Sequence, residues 1–241
     1  MNNRLLAAGL IFCIAALTFV GTAKGQTITP GVFAGANFDY HVSSYWSSND
    51  AYANIPSDLL EVNQTSHVEV RIGGVNTTNV ETTSIYYYYN GSAILLRGNV
   101  NLNTGLSYGD FVAVIGADLK TGDKIHPGGD DGITIKDAVT RSYESGGRST
   151  NHISTTVRND TAGYTATRDQ YFDAATGILV EEVTKTDVDN PASTTIITWK
   201  IDSTNFEGWV IPEFPVIIAV PIFMVAVAFA AVAFRKKLFK V

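Results

Sequence analysis

Cysteine is almost missing from this chain. Its 241 residues include one, Cys13, inside the apolar run Leu5–Val20. No disulfide can form within the chain, and removal of that run leaves no thiol chemistry. The run follows a basic start ending in Arg4 and precedes the small residues around Gly21, Ala23 and Gly25. This order predicts a secretory signal peptide over residues 1–25, cut after Ala23 or after Gly25. Phe12 stands before Cys13, where a lipoprotein signal needs small residues, so lipidation there is not expected. The alternative is an uncleaved first span, and either reading puts the middle of the chain outside the cell. A domain exported without disulfides must be held by its own core. The roughly 185 residues from Gln26 to Val210 suffice for one such domain.

Charge is missing from a second stretch. Val216–Phe234 is 19 residues without a charged side chain, followed by Arg235, Lys236 and Lys237. At ~1.5 Å per residue a helix of that length nearly spans the ~30 Å hydrocarbon core of a bilayer. A helix is required there because lipid cannot satisfy backbone amides. Pro221 should kink it slightly, and Trp209 and Phe214 stand where aromatic side chains favour the interface. The basic stop belongs on the cytoplasmic side, so the expected topology is a single pass with the C-terminus inside.

Positive charge is scarce in between. Residues 24–213 hold 12 Lys and Arg against all 23 Asp and Glu, a net charge of −11. Such a surface excludes nucleic-acid binding by counterion release and suits a solvated exterior. Four sequons lie in this region, at Asn63, Asn76, Asn90 and Asn159, each a glycosylation candidate in an exported protein.

Catalytic signatures are also lacking. There is no Gly-x-Ser-x-Gly elbow, no His-Glu-x-x-His and no phosphate-cradling glycine loop. His41, His67, His126 and His152 are widely spaced and read as surface or packing residues. Asp130-Asp131-Gly132 offers oxygen ligands for Ca²⁺ but not the full loop spacing, and a plain solvated turn is preferred. No catalytic, cofactor-binding or metal-ligating residue is assigned, no cofactor is expected, and the chain is not expected to be an enzyme.

What is abundant is alternation. Phe38, Tyr40 and Val42 alternate with Asp39, His41 and Ser43, and Val68, Val70 and Ile72 with Glu69 and Arg71. Val80–Tyr89 is a third strand ending in Tyr86 to Tyr89. For these tyrosines, strand aromatics covering both faces are preferred to an aromatic patch for a partner or sugar. Asn90-Gly91 is a strong hairpin signal leading into a fourth strand. Ser57–Val62 reads as a short helix or loop. Phe111-Val112-Ala113-Val114-Ile115 is continuously apolar and reads as a buried short helix or inner strand.

The last third predicts a run of hairpins. Its strands carry Ile133 to Tyr143, Ile153 to Val157, Tyr164–Phe172, Ile178–Val188 and Ile197 to Ile201. The expected fold is all-β, an antiparallel meander of about nine strands curling into an open half-barrel or sandwich, with one or two short helices and a C-terminal transmembrane helix.

Two resemblances add to this. Pro212-Glu213-Phe214, the apolar span 216–234 and the basic cluster Arg235–Lys237 resemble the tripartite C-terminal sorting signal of archaeal surface proteins. The resemblance implies recognition by an archaeosortase, which cuts the tail and transfers the protein to a lipid. A permanent anchor is the simpler alternative, and residues 211–215 are then its linker. The stretch Asp169 to Glu181, with Asp173 and Thr176-Gly177 in its turn, resembles a strand–turn–strand of bacterial lipoprotein carriers and of archaeal membrane-anchored proteins. For the carriers that implies an open half-barrel plugged by short helices, with acyl chains on its concave face. Phe111–Leu119 is then the plug, and Leu96, Ile115, Val139 and Trp199 line the cavity.

The expected function is that of a membrane-anchored extracellular β-domain with an interaction or structural role. Its expected partners are the membrane, an archaeosortase, and surface-layer proteins or lipid. The alternative is a module that binds lipid or another apolar ligand.

Overall fold

The computed structural model describes residues 26, 28–109, 113–143 and 146–205. The expectations for residues 1–25 and for 211–241, including Pro212, Glu213, Phe214, the apolar span and the basic stop, lie outside the described residues. Among the described residues no helix is long and apolar enough to cross a membrane.

Ten strands and one short helix make up the domain. In chain order they are β1 (Asn37–Ser48), α1 (Ser57–Gln64), β2 (Thr65–Asn76), β3 (Asn79–Tyr88), β4 (Ala93–Asn101), β5 (Ser107–Tyr108), β6 (Asp137–Tyr143), β7 (Gly146–Asn159), β8 (Tyr164–Asp173), β9 (Leu179–Asp189) and β10 (Ala192–Thr204). They form one antiparallel sheet in the order β5-β4-β3-β2-β1-β10-β9-β8-β7-β6. The expected meander is present, as two meanders that meet at β1. Only the β1–β10 pairing joins strands distant in sequence, running from Phe38 opposite Thr204 to Ser48 opposite Ser193. The sheet is single, so the sandwich alternative does not hold, and no pairing of β5 with β6 closes it among the described residues.

One face of this sheet, here the inner face, is covered by chain that forms no regular element. Residues 28–36 and 113–136 lay Ile28, Val32, Val114, Ile115, Leu119, Ile125 and Ile135 against it. The sheet contributes Phe38, Tyr40, Val70, Val100, Ile153 and Phe172 to the same core, from both sides of β1. The Tyr40 hydroxyl donates to the Leu179 carbonyl at 2.7 Å, and both residues are buried. Burial removes the phenolate's hydration and pushes the Tyr40 pKa far up, so this hydroxyl remains a donor.

Two expectations change here. Residues 113–119 are neither helix nor strand, and Val114 makes an isolated bridge to Ile178. The unbroken apolar run reflects burial on all sides, which removes the alternation of a half-solvated strand. Ile133 and Ile135 belong to this covering segment, and β6 starts after them at Asp137. The apolar period of two continued across the boundary and hid it.

Candidate functional site

On the outer face, strands β1 to β4 align their side chains in cross-strand rows. Arg71 of β2 lies opposite Thr83 of β3, which lies opposite Arg97 of β4. The next row is Glu69, Ile85 and Leu95, with Asp39 opposite Glu69 on β1. These rows line a groove of about 540 Å³ that also meets Gly35, Asn37 and Asn205. The Arg71 and Arg97 backbones are two strand spacings apart, about 10 Å.

The carboxylate of this groove is fully engaged. Glu69 accepts from Arg71 Nε at 2.6 Å and Nη2 at 2.7 Å, from Asn37 Nδ2 at 2.6 Å and from the Tyr87 hydroxyl at 3.1 Å. Above all the Arg71 hydrogen bonds hold the Glu69 carboxyl below its ordinary 4.5, against the opposing effect of burial. It stays ionised, and its two oxygens are taken up by four donors. A carboxylate with a depressed folded-state pKa stabilises the fold fully above its unfolded value and loses that contribution as pH falls through the folded value. Acid titration of the unfolding midpoint below pH 4.5 should therefore show a smaller decline in Glu69→Gln than in the native chain. Parallel curves would contradict this role.

Arg97 differs from the other arginines. Of the six among the described residues, Arg71, Arg141, Arg148, Arg158 and Arg168 are each ion-paired within the domain. Arg97 has no carboxylate partner among the described residues and is exposed at the rim of the groove.

A second polar group occupies the outer face of β6 to β9. His152 stands between Asp137 and Asp169, 3.0 Å from each, and its ring stacks on Tyr171 at 4.6 Å. Arg141 lies 4.0 Å over the Tyr171 ring and binds Glu181 through two hydrogen bonds. Burial pushes the Asp169 carboxyl up, but hydrogen bonds from His152 and Ser154 outweigh it and hold the group below its usual range. Each member is taken up by another, so the cluster ties four strands together. The sequence did not reveal it, because its members are scattered over 45 residues and meet only through register.

The remaining expectations can be placed in turn. His126 is buried and pairs with Asp131 through Nδ1 at 2.5 Å, which makes it a loop fastener. Asp131 also accepts from the Ile133 amide, so Asp130-Asp131-Gly132 is a hydrogen-bonded turn. Among the described residues no group of three His, Cys, Asp or Glu is placed to hold a metal ion. Tyr86 packs edge-on against Trp199, Tyr87 stacks on His67, and Tyr88 donates to Glu61 of α1, so three of the four consecutive tyrosines are structural. Of the anticipated cavity lining, Ile115 is sealed in the core, while Leu96 and Trp199 are half-buried on the inner face. Val139 shares the outward face of β6 with Asp137 and lies opposite Thr150. The upper part of the inner face, carrying Trp46, Tyr86, Ile94, Leu96, Ile197 and Trp199, is only partly covered.

The sequons are not equivalent. Asn90 and Ser92 are exposed in the β3–β4 turn, and the Asn90 Oδ1 accepts from the Ser92 amide and hydroxyl. Asn76 and Asn159 close hairpins, with Asn159 half-buried. Asn63 lies in α1 bound to Ser44, and its Thr65 is buried. No protein-family model matches the chain, and no curated protein matches it.

Proposed function

We propose that this chain is a membrane-anchored extracellular β-domain of an archaeal cell surface that works through contacts and performs no catalysis. The outer-face groove carries this reading. Glu69 is saturated by four donors, while Arg97, exposed at the rim, has no carboxylate partner among the described residues. Such a surface recognises another molecule but has no base or nucleophile to transform it. The proposed anchor is the 216–234 span, with Pro212-Glu213-Phe214 before it and Arg235, Lys236 and Lys237 after it, read by an archaeosortase or retained as a permanent span. Strand β10 ends at Thr204. The residues from there to Val216 reach at most about 40 Å when extended. The domain is thus held near the membrane, within range of surface-layer neighbours or lipid.

A second reading is favoured by the partly covered inner face. Trp46, Tyr86, Leu96 and Trp199 there would suit the side of an acyl chain, as in a module for apolar ligands. Native mass spectrometry of the full chain in detergent separates the two. The contact reading predicts the protein mass, with sugar where sequons are occupied. A further mass that dissociates as a lipid would overturn it in favour of the second reading.

Sequon accessibility yields a third expected result. Glycopeptide analysis should find Asn90 occupied and Asn63 bare. Occupancy at Asn63 with Asn90 bare would contradict the ranking.

A further inference from the structure

His152 of β7 meets two carboxylates at once. Its Nδ1 lies 3.0 Å from Asp137 Oδ1 of β6, and its Nε2 lies 3.0 Å from Asp169 Oδ1 of β8. A neutral imidazole carries one N–H, so it can donate to only one of them. Its other nitrogen would then turn a lone pair toward a carboxylate oxygen. A protonated ring donates from both nitrogens and satisfies both carboxylates. Asp169 does not supply the missing proton. Burial pushes its carboxyl up, but hydrogen bonds from His152 and Ser154 hold it below the usual range, so it is ionised.

The other groups around the ring leave this demand in place. Tyr171 of β8 stacks on it at 4.6 Å, and burial pushes that phenol up, so it stays uncharged. Arg141 of β6 lies over the Tyr171 ring, and its charge is met by Glu181 of β9 through two hydrogen bonds. Lys136 adds its charge on the Asp169 side. The contact also sits at a joint. Asp137 is the first residue of β6, and the Lys136 amide donates to the His152 carbonyl at 2.8 Å. The covering segment, residues 113–136, thus ends where this ring holds the sheet.

We propose that His152 is a proton-operated latch: with both ring nitrogens protonated it fastens the start of β6 to β8 across β7, and loss of one proton releases one of the two carboxylates. The second hydrogen bond exists only with that proton in place. Its contribution to the fold is therefore present in acid and lost as the ring gives the proton up. An imidazole ordinarily makes this change within about pH 5 to 8. The sign is opposite to that of Glu69, whose contribution fades on acidification. Mild acid tightens the joint between the covering segment and the sheet.

Two measurements on the full chain in detergent micelles test the latch. Proton–nitrogen correlation spectra of the histidine rings, with His152 assigned by its loss in His152→Gln, should show both its nitrogens protonated at about pH 5. Urea unfolding then compares the native chain with His152→Gln at about pH 5 and about pH 8. The native chain's lead in folding equilibrium constant should shrink about tenfold over that range, the scale of one hydrogen bond to a charged group. Asp137→Asn offers the neutral ring a side chain that can donate to its bare nitrogen. The same comparison made in that background should lose most of its slope. A ring with a single N–H at about pH 5 would overturn the proposal. So would a lead that stays level with pH, or a slope unchanged by Asp137→Asn.

Discussion

Replacing Gly177 with alanine should lower the unfolding free energy by about 3–5 kcal/mol, much of what a domain of this size possesses. Gly177 closes the β8–β9 turn at φ +72°, a conformation costly for any residue with a Cβ. Space is the larger obstacle. An added Cβ would fall onto the Ile115 carbonyl oxygen and lie 2.8 Å from that of Gly116. Both are backbone atoms, so no side chain can swing aside. The same joint is bonded throughout, by Ile115 N to Gly177 O at 2.8 Å, Asp118 N to Ala174 O at 2.9 Å and Ala117 N to Thr29 O at 2.9 Å. Moving the turn therefore separates the covering segment from the sheet. Urea unfolding of the full chain, followed by tryptophan fluorescence, measures the loss. A midpoint within experimental error of the native value would refute this account of the joint.

Asp173→Ala should follow closely, also at about 3–5 kcal/mol, the scale of removing one partner of a buried ion pair together with the hydrogen bonds of its turn. Asp173 performs two tasks at the start of that turn. Its Oδ1 accepts from the Thr176 amide at 2.9 Å and the Thr176 hydroxyl at 2.8 Å. Its Oδ2 faces Arg148 Nη1 at 3.3 Å, with both side chains buried. Burial already pushes the Arg148 guanidinium below its ordinary pKa, and the Asp173 charge opposes that push. Alanine removes the acceptor of the turn and the carboxylate that faces Arg148 together. Asp173→Asn keeps an acceptor for Thr176 while losing the charge, and should cost less. Equal losses in the two variants would show that the turn hydrogen bonds contribute nothing.

The turn at 173–177 was legible because its chemistry is local. An aspartate opening a turn and a glycine closing it carry their reason in their own side chains. The strands Phe38 to Val42 and Val68 to Ile72 were legible for a similar reason, since one solvated face leaves a period of two. The covering segment resisted assignment because residues 113–119 are buried on all sides and have no period to read. The groove was less legible still. Arg71, Thr83 and Arg97 look unrelated along the chain, and only the register of β2, β3 and β4 sets them in a row. That Arg97 has no carboxylate partner among the described residues depends on where the acids end up, which no local motif encodes. Along the chain His152 reads as a surface or packing residue for the same reason, since Asp137 and Asp169 reach it across neighbouring strands.

The claim that this domain is displayed outside a membrane is tested most directly by protease treatment of intact cells, followed by peptide mass spectrometry. Peptides from residues 26–205 should be released from whole cells, while the Arg235–Lys237 end stays protected when the anchor is retained, or is absent when a sortase has cut it. A domain that resists protease in intact cells and is digested only after lysis would contradict the account.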